Sequence, residues 1–544
     1  MTLDPNQILL KSEIGRISEI NYVARFNQNF GYEDGVFEFL LSQKDLWADK
    51  LFYVPEEHFT QWVKSESHPV KDVPTLKADQ YISDYELQEI TKEEFISRFH
   101  PIDNVDIKVT KSGLALDCSI ANGESAHLKE STGRESVAIN VGGRVTSLKW
   151  THYTSTSYLA VSILGGESDL EKLVADPNLS IFPDARRSKG ALKAAIQIWE
   201  YDHVTSSLVL NQVIDTSAFG TTSCLRWVPA HFELDVIGIL SAVFTDGNLH
   251  FFKIRPKTPG HQYHEATKSS HMISATKQRR EDKSSCTPIT AFDFVDHLKV
   301  VIGTFDGSIA EYVIPDPATD GGSASIPSFN QFVSDASVKS VTVGRVGAAH
   351  VILIHSMGNQ SFAFHYENMR LGRADVTYTN SLVRPTYCEN LRCFVYPDSA
   401  ESFSIFFARH PQLKGSLIMK SELISSFHTS EFLSHPFAIV GNVLGQVFVV
   451  NMSRRIFALP KGQLKFVNPL KIWTLHKSSD GSGLVLNGDY ELVPSDRSSV
   501  MYTFTPPEIV ISAAAWNENI NGSSVYAIGT YSGLLVVEKL DTGK

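Results

Sequence analysis

Apolar residues recur along this chain in short runs of strand length, and five pairs of such runs are separated by a glycine-containing turn. The turns fall at Thr245–Asn248, Phe305–Ser308, Gly358, Gly445 and Gly533. A turn of the Asp-Gly type between β-rich runs is the strongest short-range signal of a β-hairpin. A hairpin that recurs along a chain implies a modular β architecture.

A second element precedes several of these hairpins: Ser or Thr, a small residue, an apolar residue, any residue, then an aromatic. It occurs at 146–150, 223–227, 290–294 and 512–516, ending on Trp150, Trp227, Phe294 and Trp516. The two elements in fixed order describe a four-stranded blade, with small residues on the strand nearest a central channel. Gly307 and Gly358 are 51 residues apart and Gly358 and Gly445 are 87 apart, which leaves room for one more blade in the weaker stretch 386–410. Blades starting near Val145, Thr222, Ile289, Lys339, Arg384, Ser434 and Ile511 make seven. The expected fold is all-β: a seven-bladed WD40-type β-propeller over 136–544, preceded by a partly helical or irregular arm over 1–135. Ser136–Asn140 is expected to supply the outer strand of the last blade, which removes free sheet edges. Long loops are expected at 165–190, 253–283 and 453–510, the last being an insertion or a degenerate blade.

Composition narrows the setting. The net charge is −11, and residues 1–100 hold 18 acidic against 10 basic side chains, so most of the excess lies in the arm. An acidic chain is a poor autonomous DNA binder, because neutralising phosphates supplies most nonspecific affinity. No apolar run approaches the ~18 residues that span a bilayer, and the first residues lack a secretory pattern, so residence in the cytosol or nucleus is expected and no membrane. The five cysteines, Cys118, Cys224, Cys286, Cys388 and Cys393, read as reduced thiols rather than a disulfide framework or a zinc site. No metal or other cofactor is expected.

Candidate chemistry is sparse. No phosphate loop, dinucleotide fingerprint, metalloprotease motif or nucleophile elbow is present. Asp246 and Asp306 are read as turn residues, and Trp150, Trp227 and Trp516 as blade core. Two kinds of surface remain. Basic side chains in the long loops, Arg186, Arg187 and Lys189 in the first and Lys268, Lys277, Arg279, Arg280 and Lys283 in the second, are either simply solvated or contact phosphate or an acidic partner, the second loop being the best candidate. In the arm, Trp47, Phe52, Tyr53 and Trp62, together with Phe95 and Phe99 on a helix capped by the box Thr91 to Glu94 and closed by Pro101, either pack back on the propeller or dock a partner.

The run from Gly142 to Trp150, then Tyr158 to Ser162 and Ile196 to Glu200, resembles the first blade of the WD40 subunit of general transcription factor IIIC. The run Cys224 to Trp227 with Gly238 to Gly247 is similar to its second blade, and His435-Pro436-Phe437 before a glycine-containing hairpin fits the same family. The resemblance covers roughly 135–540 at blade level. It implies a nuclear, non-enzymatic subunit of the B-box-recognising subcomplex (fungal-type tau B) at tRNA genes. The partners it implies are a second β-propeller subunit and a large DNA-binding subunit, with promoter DNA reached through the complex. Members often carry a basic N-terminal extension; the acidic arm here points to a scaffold instead. The alternative reading is a peptide-reading WD40 adaptor of a chromatin or ubiquitin-pathway complex.

Overall fold

The computed structural model describes residues 73–540, apart from a number of short stretches and the longer ones at 166–191, 277–285, 315–325, 375–382, 454–468 and 494–504. The chain forms an all-β propeller with few helices. Six blades are each drawn from one region of the chain, their inner strands being Arg144–Trp150, Thr222–Trp227, Ile289–Phe294, Val338–Val346, Thr386–Cys388 and Ile424–Thr429. A further sheet is built from both ends of the described chain. Ile511–Trp516, Val525–Thr530 and Leu534–Lys539 form three antiparallel strands, and Ser136–Asn140 pairs with the last of them. This is the pairing expected from the sequence.

The repeated small-residue motif has a specific task at the seams between blades. In three of its copies, and at the matching place in Ile424–Thr429, which lacks the final aromatic, a β-bulge falls on the hydroxyl residue: between Val145 and Ser147, Ile289 and Ala291, Ile511 and Ala513, and Ile424 and Ser426. A bulge leaves one residue out of the ladder and re-aims it. Each hydroxyl then donates to a carbonyl that begins the next inner strand: Thr146 to Thr222 at 2.7 Å, Thr290 to Val338 at 2.5 Å, Ser425 to Ile511 at 2.7 Å and Ser512 to Val145 at 2.6 Å. The last of these joins the closing sheet to blade 1. Indole nitrogens donate in the opposite sense, Trp150 to the Ala515 carbonyl and Trp227 to the Lys149 carbonyl, both at 3.3 Å.

Glycine on the second strand lets these seams close. A Cβ on Gly303, Gly441 or Gly529 would lie 2.3 to 2.4 Å from Val338, Ile511 or Val145, the first or second residue of the neighbouring inner strand. The requirement here is close approach, not an unusual backbone angle. In the hairpin turns the reason differs: Gly247, Gly307, Gly445 and Gly533 have φ of 75 to 85°, a region that side chains rarely adopt.

The described part of the N-terminal arm is woven into the propeller as a strap. Thr75–Leu76 pairs with His231–Phe232 in blade 2, and Leu87–Glu89 extends blade 1 through Tyr263–Ala266. Asn104–Lys111 and Leu114–Ala121 extend blade 6 beyond Leu484–Asn487, and Ser125–His127 extends the closing sheet. The helix Lys92–Phe99 starts on the expected capping box, with Thr91 Oγ1 accepting from the Glu94 N–H and Glu94 accepting from the Thr91 N–H. Its Phe95 and Phe99 are buried, with ring centroids 5.0 Å apart and Phe95 5.5 Å from Tyr263. Phe95 and Phe99 are therefore core residues of this chain and offer no surface to a partner, because the helix lays its apolar stripe on blade 1.

Three expectations about layout are corrected. The sixth inner strand begins at Ile424, not near Ser434, and Phe437–Asn442 is the second strand of that blade. The stretch 253–283 is not all loop, since His271–Ile273 is the outer strand of blade 2. Within 453–510, Leu470–Lys477 is the outer strand of blade 6, so blade material and insertion alternate there.

Replacing Ser512 by Ala removes a seam bond and is expected to cost about 1 kcal/mol in urea unfolding. Gly529→Ala, which drives a methyl into Val145, is expected to cost about 1 to 3 kcal/mol. Gly372→Ala, which meets nothing within 4 Å, serves as the control and should leave the midpoint within error.

Candidate functional site

The variable position of the inner-strand motif, just before the aromatic, places charge at one mouth of the channel. Lys149, Arg226 and Asp293 occupy it in the first three blades, and Arg345 and Glu389 join them in lining a cavity of about 60 Å³. The charges are matched across blades. Arg226 Nε lies 3.4 Å from Asp293, whose other oxygen accepts the Val343 N–H at 2.9 Å. Lys149 Nζ is 3.3 Å from Glu518, both almost fully buried, and 3.5 Å from His428 Nε2. His428 Nδ1 accepts the Trp516 N–H at 3.2 Å, which ties blade 6 to the closing sheet. Burial pushes the Glu389 carboxyl up, against the opposing pull of Arg345 and Arg392.

A second cavity, of about 330 Å³, adjoins the first through His152 and Trp227 and runs outward between blades 1 and 2. Tyr158, Phe232, Val236, Ile237 and Pro256 supply an apolar lining, with Thr151, Thr156 and His231 as polar groups. This size and mixture suit a side chain or short extended segment. Phe232 and His231 also carry the strand to which Thr75–Leu76 is added, so the rim of this cavity is already a place where extended chain is bound.

The opposite mouth of the channel is different. In blade 4 the bulge lies between Val338 and Ser340, so Lys339 stands where other blades have Ser or Thr. Burial, and then Arg384, push the Lys339 ammonium down to about 8. Burial, and then Lys339, push His355 down to about 3, and its Nδ1 lies 2.6 Å from Ser361 Oγ. Asp246 and Asp306 act within their turns: Asp246 accepts from the Asn248 N–H at 3.0 Å and meets His250 at 2.8 Å, and Asp306 accepts from Thr304 Oγ1 at 2.6 Å. Trp150, Trp227 and Trp516 are buried in the blades.

Of the side chains singled out from the sequence, Arg186, Arg187, Lys189, Lys277, Arg279, Arg280 and Lys283 lie outside the described residues, as do Trp47, Phe52, Tyr53 and Trp62. Lys268 is exposed in the turn before His271–Ile273. Lys253, at the start of the basic stretch, is buried and bonded at 2.7 Å to Asp79 of the strap, so its charge is not available to phosphate. The charged mouth was not anticipated. Its signal was the variable motif position itself, charged in three of four copies. Among the described residues no group of three or more His, Cys, Asp or Glu is placed to hold a metal ion, and no helix is long and apolar enough to cross a membrane.

These features define a β-propeller with a matched-charge channel mouth, an inter-blade cavity and strand-extended edges. No protein-family model matches the chain. It is similar to the transcription factor tau 91 kDa subunit of Saccharomyces cerevisiae (strain ATCC 204508 / S288c), with 25% identity over 424 residues, which is 75% of this chain and 58% of that protein. The match therefore spans less than two thirds of the relative's length.

A lysine whose folded pKa is depressed adds stability above its unfolded pKa and loses it as pH falls through the folded value. Lys339 is thus expected to make stability rise between about pH 8 and pH 10. Lys339→Met should flatten that rise in denaturant titrations; an unchanged slope would show that another group is responsible.

Proposed function

We propose that this chain is a non-enzymatic scaffold subunit of a transcription factor IIIC-type complex, acting in the nucleus to help assemble the B-box-recognising subcomplex on tRNA genes for RNA polymerase III. The observation that carries this reading is the 424-residue similarity to the tau 91 kDa subunit. The first two blades, where the sequence most resembles the family, lie within the propeller that such a scaffold would use. We take the closing sheet as the seventh blade of a complete ring, a reading supported by the bond from Ser512 to Val145. The partners in this reading are a second propeller subunit and a large DNA-binding subunit, with promoter DNA contacted through the complex and secondarily by the loops bearing Arg186, Arg187, Lys189, Lys268, Lys277, Arg279, Arg280 and Lys283. Within the arm, Trp47, Phe52, Tyr53 and Trp62 are the residues proposed for partner contact.

A second reading, a peptide-reading adaptor, is favoured by one observation, the cavity between blades 1 and 2. The two separate in one experiment. The tagged chain, expressed at native level and purified after nuclease treatment, is expected to bring down other factor IIIC subunits in equal amounts by mass spectrometry. Recovery of a different stable complex would discard the family assignment. Changing Lys277, Arg279 and Arg280 together to Glu is expected to weaken DNA binding by the whole complex and to reduce its salt dependence. An unchanged affinity across a salt series would remove the DNA contact from the proposal.

A further inference from the structure

The strand that closes the ring is held by a buried polar cluster outside the channel. Arg134 sits immediately before Ser136–Asn140, and Glu538 lies on the strand paired with it, opposite Ser136. Arg134 Nη1 is 3.3 Å from Glu538 Oε1, with both side chains almost fully buried. The same nitrogen donates to the Ile472 carbonyl at 3.2 Å, and the guanidinium stacks 4.1 Å over Trp473 and 4.6 Å over Tyr490. Tyr526 donates to Glu538 Oε1 at 2.7 Å and accepts from Trp473 Nε1 at 2.9 Å. One residue thereby joins the strap, blade 6 and the closing sheet.

The carboxyl is asymmetric. Oε1 accepts the Tyr526 hydroxyl and lies in ion-pair range of Arg134, whereas the buried Oε2 has no hydrogen-bond partner among the described residues. A carboxylate held this way lacks solvation on one oxygen, a cost that a proton relieves while the Arg134 guanidinium keeps the Ile472 carbonyl and the Trp473 and Tyr490 rings.

We propose that Arg134 and Glu538 form a proton-controlled latch on the ring-closing strand, with Glu538 Oε2 as the atom that takes the proton. Burial raises the Glu538 carboxyl to about 7, against the opposing effects of Arg134, the Tyr526 hydroxyl and Lys111. Tyr490 is the other titratable group at the cluster, packed on Arg134. Burial pushes the Tyr526 hydroxyl up, so it stays protonated through the neutral range. An acid whose folded pKa is raised adds stability that is complete below its unfolded pKa and is lost as pH rises through the folded value. The closing strand is therefore held more firmly on the acid side of neutrality and loosens above it. Physiological pH lies where this latch changes state.

Hydrogen exchange of the full chain tests the latch. The readout is protection of the amides in Ser136–Asn140 and Leu534–Lys539, corrected for intrinsic exchange, at about pH 6 and about pH 8. A carboxyl moving from an ordinary value to about 7 makes protection roughly tenfold higher at the lower pH. Glu538→Gln, which keeps the shape and removes the titration, is expected to abolish the difference. Equal protection at the two pH values in the wild-type chain, or a tenfold difference that survives in Glu538→Gln, would overturn the proposal. Should the variant fail to fold, the wild-type profile alone decides, because a flat profile already contradicts the latch.

Discussion

Three of the seams rest on one arrangement: a hydroxyl re-aimed by a β-bulge donates to a carbonyl at the start of the next inner strand, over a glycine that lets that strand approach. Thr290, Ser425 and Ser512 each combine with a glycine on their own second strand, at Gly303, Gly441 and Gly529. The hydroxyl also reaches that glycine's carbonyl, at 3.2 to 3.4 Å, so one oxygen addresses both blades. Among the described residues the inner strands of neighbouring blades are not paired in a ladder, so these side-chain contacts and the indole bonds running the other way help set how each sheet turns relative to the next. The sheet that ends the described chain is tied to blade 1 by the bond from Ser512 to Val145 and to the strap by the pairing of Ser136–Asn140.

With the inner strands committed to one another, what remains for function is the mouths, the inter-blade cavity and the outer edges. The strap shows how such edges are used within this molecule, since four sheets accept strands from residues 75–140 by backbone pairing. Strand addition of this kind needs extended chain and little else. The channel mouth contributes cross-blade ion pairs rather than a reactive group: Lys149 with Glu518 and Arg226 with Asp293 are spent on each other. Buried pairs of this sort are weak sources of stability but leave few alternative packings.

Much of this was legible because propeller blades repeat their requirements in short range. Positive φ at Gly247, Gly307, Gly445 and Gly533 is a local need that a sequence states openly. The turn at Gly358 was right in place but not in detail, because Asn359, with φ of 57°, takes the left-handed position beside it. The sixth blade was misplaced because its inner strand ends on Thr429 instead of an aromatic, so the motif is absent although the bulge and the Ser425 bond are present. Lys253 looked like part of a basic loop because composition cannot show that Asp79, 174 residues away, meets it. Phe95 and Phe99 looked available for the same reason: an amphipathic stripe does not say which surface covers it.

The central claim is that this chain serves RNA polymerase III as a structural subunit, and transcription of a tRNA gene in a nuclear extract from its own organism tests it most directly. Immunodepletion of the chain is expected to abolish tRNA-gene transcription while leaving an RNA polymerase II template unaffected, and adding back the purified complex that contains it should restore activity. Undiminished tRNA-gene transcription in the depleted extract would contradict the account, whatever the propeller itself is found to bind.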